Sequence, residues 1–191
     1  MRLPTLLEPT GDNLDFSWIR TIFLVLLTWY SLRFFSFDVN DNVMEAFIHG
    51  PNLIFHEAGH VIFSPFGEFL YILGGSLFQC LLPFSLALVF LLRESNAFAA
   101  SICLWWTGQN LTDVALYISD ARARSLPLIG GMGTEAHDWG NILTMTNLLS
   151  YDHTFALMAH YSGMFLMLVS ILWGGYICLT AWKVRDNTSL S

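Results

Sequence analysis

Long apolar runs constrain the fold of this 191-residue chain more than any other feature. Four stretches, residues 16–37, 69–92, 97–120 and 155–182, approach or exceed the ~20 residues with which a helix crosses about 30 Å of hydrocarbon. Only 12% of the residues are charged, against ~25% in an average soluble domain, and the mean hydropathy is +0.54. The sequence therefore predicts an all-α, multi-pass integral membrane protein in contact with the lipid bilayer, by default that of the plasma membrane or the bacterial inner membrane.

A further apolar segment, residues 53–69, leaves the number of transmembrane helices at four or five. Pro65 and Gly67 interrupt this segment, so a helix is expected to end or kink near Ser64. The stretch at residues 69–92 is long enough to span, and the alternative is a re-entrant turn at Gly74 and Gly75 before a shorter helix. The chain is expected to form one domain over residues 1–191.

Basic residues suggest an orientation through the positive-inside rule. With four spans, the cytoplasmic side carries Arg2, Arg93, Lys183 and Arg185. With five spans, the loop that carries Arg122 and Arg124 joins the N-terminus on the cytoplasmic side. In both arrangements the segment HEAGH, residues 56–60, meets the end of the helix predicted over residues 97–120.

Charge and cysteine content exclude several classes of protein. The net charge is -7 and only eight residues are Lys or Arg, too few to neutralise a nucleic-acid backbone, so no nucleic-acid partner is expected. The three cysteines lie in apolar stretches without metal-ligand spacing and are expected to be small core residues. The N-terminal residues are acidic and lack a basic n-region, so the first span is expected to remain in the mature protein.

The segment HEAGH carries the chemistry of the sequence. On a helix, His56 and His60 at positions i and i+4 share one face and can bind one metal ion, while Glu57 lies beside a metal-bound water. Zn²⁺ suits two neutral imidazoles and a further ligand, and it leaves one position for water. Ionisable groups inside an apolar membrane segment are costly and are functional by default. We therefore expect His56 and His60 to be zinc ligands and Glu57 to be the general base.

The third ligand is open among three residues. A polar stripe on the helix predicted over residues 97–120 contains two candidate aspartates, Asp113 within the span and Asp120 at its end. The stripe consists of Asn110, Asp113, Tyr117, Asp120 and Arg124. His137, in the loop of residues 126–140, is the third candidate, since that glycine-rich loop can fold over the site. The alternative for the acids is an ion pair with a neighbouring arginine or a helix cap. The alternative for His137 and Asp138 is a turn, with Asp138 capping a helix over residues 141–149.

These residues resemble the site-2 protease family of intramembrane zinc metalloproteases. The resemblance is carried by FHEAGH at residues 55–60, LGGSLFQ at residues 73–79 and NLTDVALYISDA at residues 110–121, and the chain would be a minimal member with its metallopeptidase-like core at about residues 45–150. The resemblance implies zinc bound by His56, His60 and Asp120 or Asp113, with Glu57 as catalytic base. It further implies that Asn110 positions the substrate or the site.

The sequence thus predicts a membrane-embedded zinc metallopeptidase that hydrolyses a peptide bond in or near a transmembrane segment of a membrane-protein substrate. Two other functions fit the same residues. One is a non-catalytic zinc-binding membrane subunit or chaperone of a partner complex, which the small size of the chain favours. The other is a hydrolase that applies the same zinc-water chemistry to a lipid-like substrate.

Overall fold

The computed structural model describes residues 16–35, 46–126 and 133–189, and these residues form six α-helices and no strand. The helices are α1 (Ser17–Ser31), α2 (His49–Phe63), α3 (Glu68–Leu92), α4 (Ala97–Ser119), α5 (Asp138–Met145) and α6 (Asp152–Ser189). Short 3-10 turns follow α1 and α2 and precede α5 and α6. The predicted all-α fold class is confirmed for this part of the chain.

Helices α2 and α3 form a hairpin whose turn lies where the sequence predicts a break. Helix α2 ends at Phe63, a 3-10 turn with Pro65 follows, and Gly67 adopts φ +95, a conformation that favours glycine. The two helices touch through glycines, because a Cβ atom on Gly59 would collide with the carbonyl oxygen of Gly74. The small side-chain volume at these positions brings the two helices into close contact.

Of the two alternatives for residues 69–92, the structure has the single long helix and not the re-entrant turn at Gly74 and Gly75. Both residues lie inside the continuous 25-residue helix α3. Glycine costs roughly 1 kcal/mol relative to alanine within a helix. Here it provides space, since a Cβ atom on Gly75 would lie 2.5 Å from Nε2 of His56. The glycine pair therefore serves helix packing and the placement of an imidazole.

Helix α4 lies between α3 and α6 and is the most extensively buried helix. A second glycine contact joins it to α6, because a Cβ atom on Gly108 would lie 2.7 Å from the carbonyl oxygen of Gly163. Helix α1 packs on α6, where Trp182 donates a hydrogen bond to the hydroxyl of Thr21. Helix α2 packs on α3, so that α4 is flanked by the hairpin on one side and by α6 and α1 on the other.

Two helices in the described part of the chain are long and apolar enough to cross a membrane, Glu68–Leu92 and the stretch Leu149–Asn187. Large apolar side chains also remain on the surface of α1 and α6, among them Trp29 at 72% exposure and Phe165 at 65%. The first predicted span is shorter than expected, because the helix that begins at Ser17 gives way to a 3-10 turn after Ser31. Helix α4 coincides with the span predicted at residues 97–120, and α6 contains the one predicted at 155–182.

Several expectations concern residues that lie outside the described ranges. The acidic N-terminal residues, with Arg2, fall in residues 1–15, and much of the acidic segment before α2 falls in residues 36–45. The central part of the glycine-rich loop falls in residues 127–132. The three cysteines are within the described ranges as free thiols, and Cys178 is buried as expected of a core residue, whereas Cys80 and Cys103 are only partly buried.

Candidate metal centre

A cavity of about 410 Å³ opens between α2, the first half of α3, the second half of α4 and the segment that leads into α5. One face of α2 lines it, because His49, Leu53, His56, Glu57 and His60 recur at helical spacing. Asp113 and Tyr117 of α4 lie on the opposite wall. Asp138, the first residue of α5, completes the wall near the two HEAGH histidines.

Both HEAGH histidines use Nδ1 in a hydrogen bond to an oxygen of α3. Nδ1 of His56 donates to Oε1 of Gln79 over 2.7 Å, and Nδ1 of His60 donates to the backbone carbonyl of Tyr71 over 2.8 Å. A neutral imidazole that donates through Nδ1 carries its lone pair on Nε2. Each ring therefore presents a ligand atom at Nε2, with its orientation fixed by α3.

The tautomer of His56 is set by a chain of hydrogen bonds that begins on the backbone of α4. The carbonyl oxygen of Trp106 is an acceptor only, so the nearby amide of Asn110 donates Nδ2 to it over 3.0 Å. Oδ1 of Asn110 then accepts from Nε2 of Gln79 over 3.1 Å, which turns Oε1 of Gln79 towards His56. Asn110 is fully buried and does not line the cavity. Asn110 is therefore part of the hydrogen-bond chain that orients His56. Of the two expected roles for Asn110, the geometry favours positioning the site over positioning the substrate.

The two Nε2 atoms converge on one carboxylate oxygen. Oδ2 of Asp138 lies 2.8 Å from Nε2 of His56 and 3.3 Å from Nε2 of His60. Burial is the largest influence on the pKa of Asp138 and raises it, but the two imidazoles, when they carry a proton at Nε2, outweigh burial and hold the pKa below its ordinary value. Asp138 is thus a carboxylate, the form that binds a metal ion.

This set of atoms lacks a donor when both imidazoles are neutral. Three lone-pair atoms then face one another, and they are satisfied either by protons on the imidazoles or by one metal cation between them. Two imidazolium rings whose centroids are 4.9 Å apart repel each other, which disfavours a proton on both, whereas one metal cation satisfies all three atoms. Ligands of a tetrahedral zinc at 2.0–2.1 Å lie roughly 3.3 Å from one another, close to the spacing observed here. The residues therefore fit a zinc ion.

Glu57 lies beside His56 and His60, but its carboxylate is not one of the atoms that converge with Oδ2 of Asp138. Ligand atoms of His56, Glu57 and His60 all fall within 4.8 Å of one another, so the three residues can hold a metal ion. Glu57 also lines the cavity, where a substrate and a water molecule have room. Its carboxylate is therefore placed to receive a proton from water beside the two histidines.

Asp138 is held in place by a histidine cap and by a contact with α3. His137 is the N-cap of α5, and its Nδ1 accepts a hydrogen bond from the backbone N–H of Gly140 over 3.1 Å. The indole N–H of Trp139 donates to the hydroxyl of Ser76 over 3.0 Å, which ties α5 to α3. The expectation that Asp138 caps a helix over residues 141–149 is wrong, because the cap is His137 and α5 runs from Asp138 to Met145.

Asp120 and His137, two of the three predicted candidates for the third ligand, form a pair with each other. Nε2 of His137 donates to Oδ2 of Asp120 over 3.1 Å, and both side chains are almost fully buried. The carboxylate of Asp120 also accepts from Ser125 and from the backbone N–H of Leu126. Burial raises the pKa of Asp120, but these hydrogen bonds have the larger effect and hold the pKa below its ordinary value. Burial lowers the pKa of His137. The pair is a carboxylate and a neutral imidazole that anchor the segment before α5.

Asp113, the remaining candidate, faces the same cavity but is bound to a different histidine. Its Oδ1 accepts from Nδ1 of His49 over 2.8 Å, and its Oδ2 accepts from the amide of Asn52 over 3.1 Å. His49 begins α2, seven residues before His56, which is about 10 Å along a helix axis. Asp113 therefore belongs to a network at the far end of the cavity from Asp138.

Two residues of the site are not identified as such by the sequence. Asp138 follows a candidate ligand, His137, but only the fold of the segment before α5 brings it to α2, 82 positions away. Gln79 gives a clearer signal, since a lone amide in an otherwise apolar helix is costly and calls for a partner. Tyr117 belongs to the predicted polar stripe, which faces the hairpin up to Tyr117 and the segment before α5 from Asp120 onwards.

Comparisons with protein-family models, with curated proteins and with solved structures found no match for this chain.

Proposed function

We propose that this protein is a membrane-embedded zinc metallopeptidase that hydrolyses a peptide bond in or near a transmembrane segment of a membrane-protein substrate. The observation that carries the proposal is the convergence of Nε2 of His56 and Nε2 of His60 on Oδ2 of Asp138, beside Glu57 and inside a cavity. His56, His60 and Asp138 are the proposed ligands. Asp138 replaces Asp120, Asp113 and His137 in that role.

Separate residues of the chain have separate roles in the proposed hydrolysis. Bound zinc would polarise the scissile carbonyl and acidify water. Glu57 takes one proton from that water as its oxygen adds to the carbonyl carbon, and returns the proton to the leaving nitrogen when the C–N bond breaks. Gln79 and the carbonyl of Tyr71 keep the imidazoles in the ligand tautomer throughout.

Substitution of Glu57 separates an enzyme from a metal-binding subunit. The full chain and its Glu57→Gln and His56→Ala variants are purified in detergent, analysed for zinc and reconstituted with solubilised membrane proteins of the expression host. Newly formed peptide ends are then identified by mass spectrometry. We expect about one zinc per chain in wild type and Glu57→Gln, much less in His56→Ala, and new peptide ends with wild type alone.

The other outcomes overturn the proposal. Zinc in both proteins without wild-type-specific peptide ends would favour the non-catalytic subunit. Phospholipid breakdown that requires Glu57, without peptide cleavage, would identify a lipid hydrolase. Absence of zinc from wild type, with chelators omitted during purification, would contradict the proposal that these residues bind a metal ion.

We further propose that α1, α3, α4 and α6 cross the membrane and that α2 enters it partway, which is the four-span arrangement. Helix α2 has 15 residues, about 22 Å, and its glycine and histidine contacts with α3 fall on residues 71–79, the first half of that helix. The start of α1 contacts the start of α4, where Arg20 lies over the ring of Phe98. It also contacts the end of α6, where Trp182 donates a hydrogen bond to Thr21. The metal centre lies near the other end of the bundle.

The positive-inside rule then gives the side on which the cavity opens. Arg93 follows α3 and Lys183 and Arg185 lie at the end of α6, all remote from the metal centre, so the cavity is expected to open on the extracytoplasmic side. Ser150→Cys and Ser95→Cys, each in a protein without its native cysteines, mark the two ends of the bundle. A membrane-impermeant maleimide should label Ser150→Cys in intact cells and Ser95→Cys only after permeabilisation. The opposite pattern would reverse the orientation.

A further inference from the structure

Tyr117 lies in the candidate metal centre, and the proposed roles of zinc and Glu57 in hydrolysis do not involve it. Its hydroxyl oxygen accepts a hydrogen bond from the backbone N–H of Asp138 over 3.0 Å. Its ring is packed between two imidazoles, with centroid distances of 5.9 Å to His56 and 4.4 Å to His137. The side chain lines the cavity. A phenol is therefore fixed beside a proposed ligand, at the wall that a substrate would contact.

The hydrogen-bond direction at this hydroxyl leaves its proton available for donation. A phenolic oxygen can accept and donate at the same time, and a backbone N–H can only donate. Because the N–H of Asp138 fills a lone pair of the oxygen, Tyr117 keeps its own proton for donation, and the carboxylate of Asp138 is the acceptor within its reach when no substrate is bound. No lysine or arginine lines the cavity among the described residues, so no cation there competes with the phenol as a donor.

We propose that Tyr117 is a catalytic residue that donates a hydrogen bond to the negative charge developing on the substrate's carbonyl oxygen when water adds to the carbonyl carbon. The inference rests on the proposed peptidase function. Tyr117 forms no covalent bond and keeps its proton, while Glu57 carries the transferred proton. A donor held in advance by packing on both sides stabilises such a charge without reorganising during the reaction.

The proposal is tested by binding, because two inhibitors report separately on zinc and on the developing charge. A phosphinic dipeptide analogue with two leucine side chains carries a tetrahedral centre with anionic oxygens, and it mimics the state that Tyr117 is proposed to stabilise. Acetohydroxamate binds zinc without that tetrahedral centre. Calorimetric titration of both compounds into wild type, Tyr117→Phe and Tyr176→Phe, all loaded with zinc, gives the comparison. Tyr176 lies exposed on α6 and serves as a matched control.

We expect Tyr117→Phe to bind the phosphinate roughly 10- to 100-fold more weakly and acetohydroxamate equally well, with unchanged zinc content. Tyr176→Phe should match wild type with both. Loss of zinc from Tyr117→Phe would make Tyr117 a positioning residue for Asp138 and overturn its catalytic role. Equal phosphinate binding by wild type and Tyr117→Phe would also overturn it. Zinc-loaded wild type that binds neither compound would instead count against the peptidase function itself.

Discussion

Two histidine and aspartate clusters both contact the ring of Tyr117, one through His137 and the other through His56, and they differ in the direction of their hydrogen bonds. In the anchoring pair, His137 donates to Asp120 through Nε2 and accepts from the N–H of Gly140 through Nδ1, so each ring nitrogen has a complementary partner. In the metal centre, Nδ1 of His56 and of His60 already donates to α3, and both Nε2 atoms face a carboxylate oxygen.

The difference distinguishes a structural pair from a candidate metal site, which the residue types alone do not. Both clusters contain buried imidazoles and a carboxylate, and both have a predicted ligand among their members. Only the second has acceptor atoms that remain without a donor when its histidines are neutral. The direction of each bond, traced back to a backbone carbonyl or N–H, therefore decides which aspartate can ligate a metal ion.

The largest expected effect comes from removing one carboxylate from each cluster. Asp138→Ala should weaken zinc affinity by more than the 10- to 100-fold that outer partners of a metal site contribute, because it removes a proposed ligand. Asp120→Ala should retain zinc to within that range, since it acts only through His137. Metal analysis after dialysis against a graded zinc buffer measures both. Retention of zinc in Asp138→Ala together with its loss in Asp120→Ala would reverse the assignment of the two clusters.

A smaller effect is expected from the amide that sets the tautomer of His56. Gln79→Leu preserves the side-chain volume but removes the acceptor for Nδ1, and we expect zinc affinity to fall about 10- to 100-fold. Gln109→Leu is the matched control, because Gln109 is an equally buried amide that bonds to Asn52 in the network of Asp113. Zinc titration with a fluorescent competitor compares the two variants. An equal loss of affinity in both would show that helix packing, and not the tautomer, is responsible.

The smallest effect concerns stability in acid, and it belongs to the anchoring pair. Hydrogen bonds lower the pKa of Asp120 despite its burial, so the stability that they provide is complete above the ordinary pKa of ~3.9 and is lost as the pH falls through the lower folded-state value. Asp120→Asn should therefore have a lower Tm at pH 7, and its Tm should fall less than that of wild type between pH 5 and pH 3. Melting of zinc-free proteins in detergent measures this difference. Parallel declines in the two proteins would contradict it.

The sequence is sufficient to predict most of the described helices and the HEAGH part of the candidate site. Apolar runs and Pro65 locate α3, α4, α6 and the end of α2, because these signals are local. The HEAGH spacing alone brings His56, Glu57 and His60 together, since one helix carries all three. Asp138 is different, because its approach to α2 depends on a histidine cap, a tryptophan contact and a buried anchor that are far apart in the chain. A polar stripe with two aspartates on α4 was the stronger local signal, and both of its acids are bound to other histidines.

The glycine contacts between α2 and α3 divide the metal centre into two mechanical parts. His56, His60 and the α3 groups that orient them belong to one tightly packed hairpin, whereas Asp138 arrives on a separate segment from 82 positions further along. A bound metal ion would therefore act as a cross-link between distant parts of the chain, closing a long loop in the way a disulfide does. Chelation should then increase amide hydrogen exchange around α5 while the hairpin stays protected.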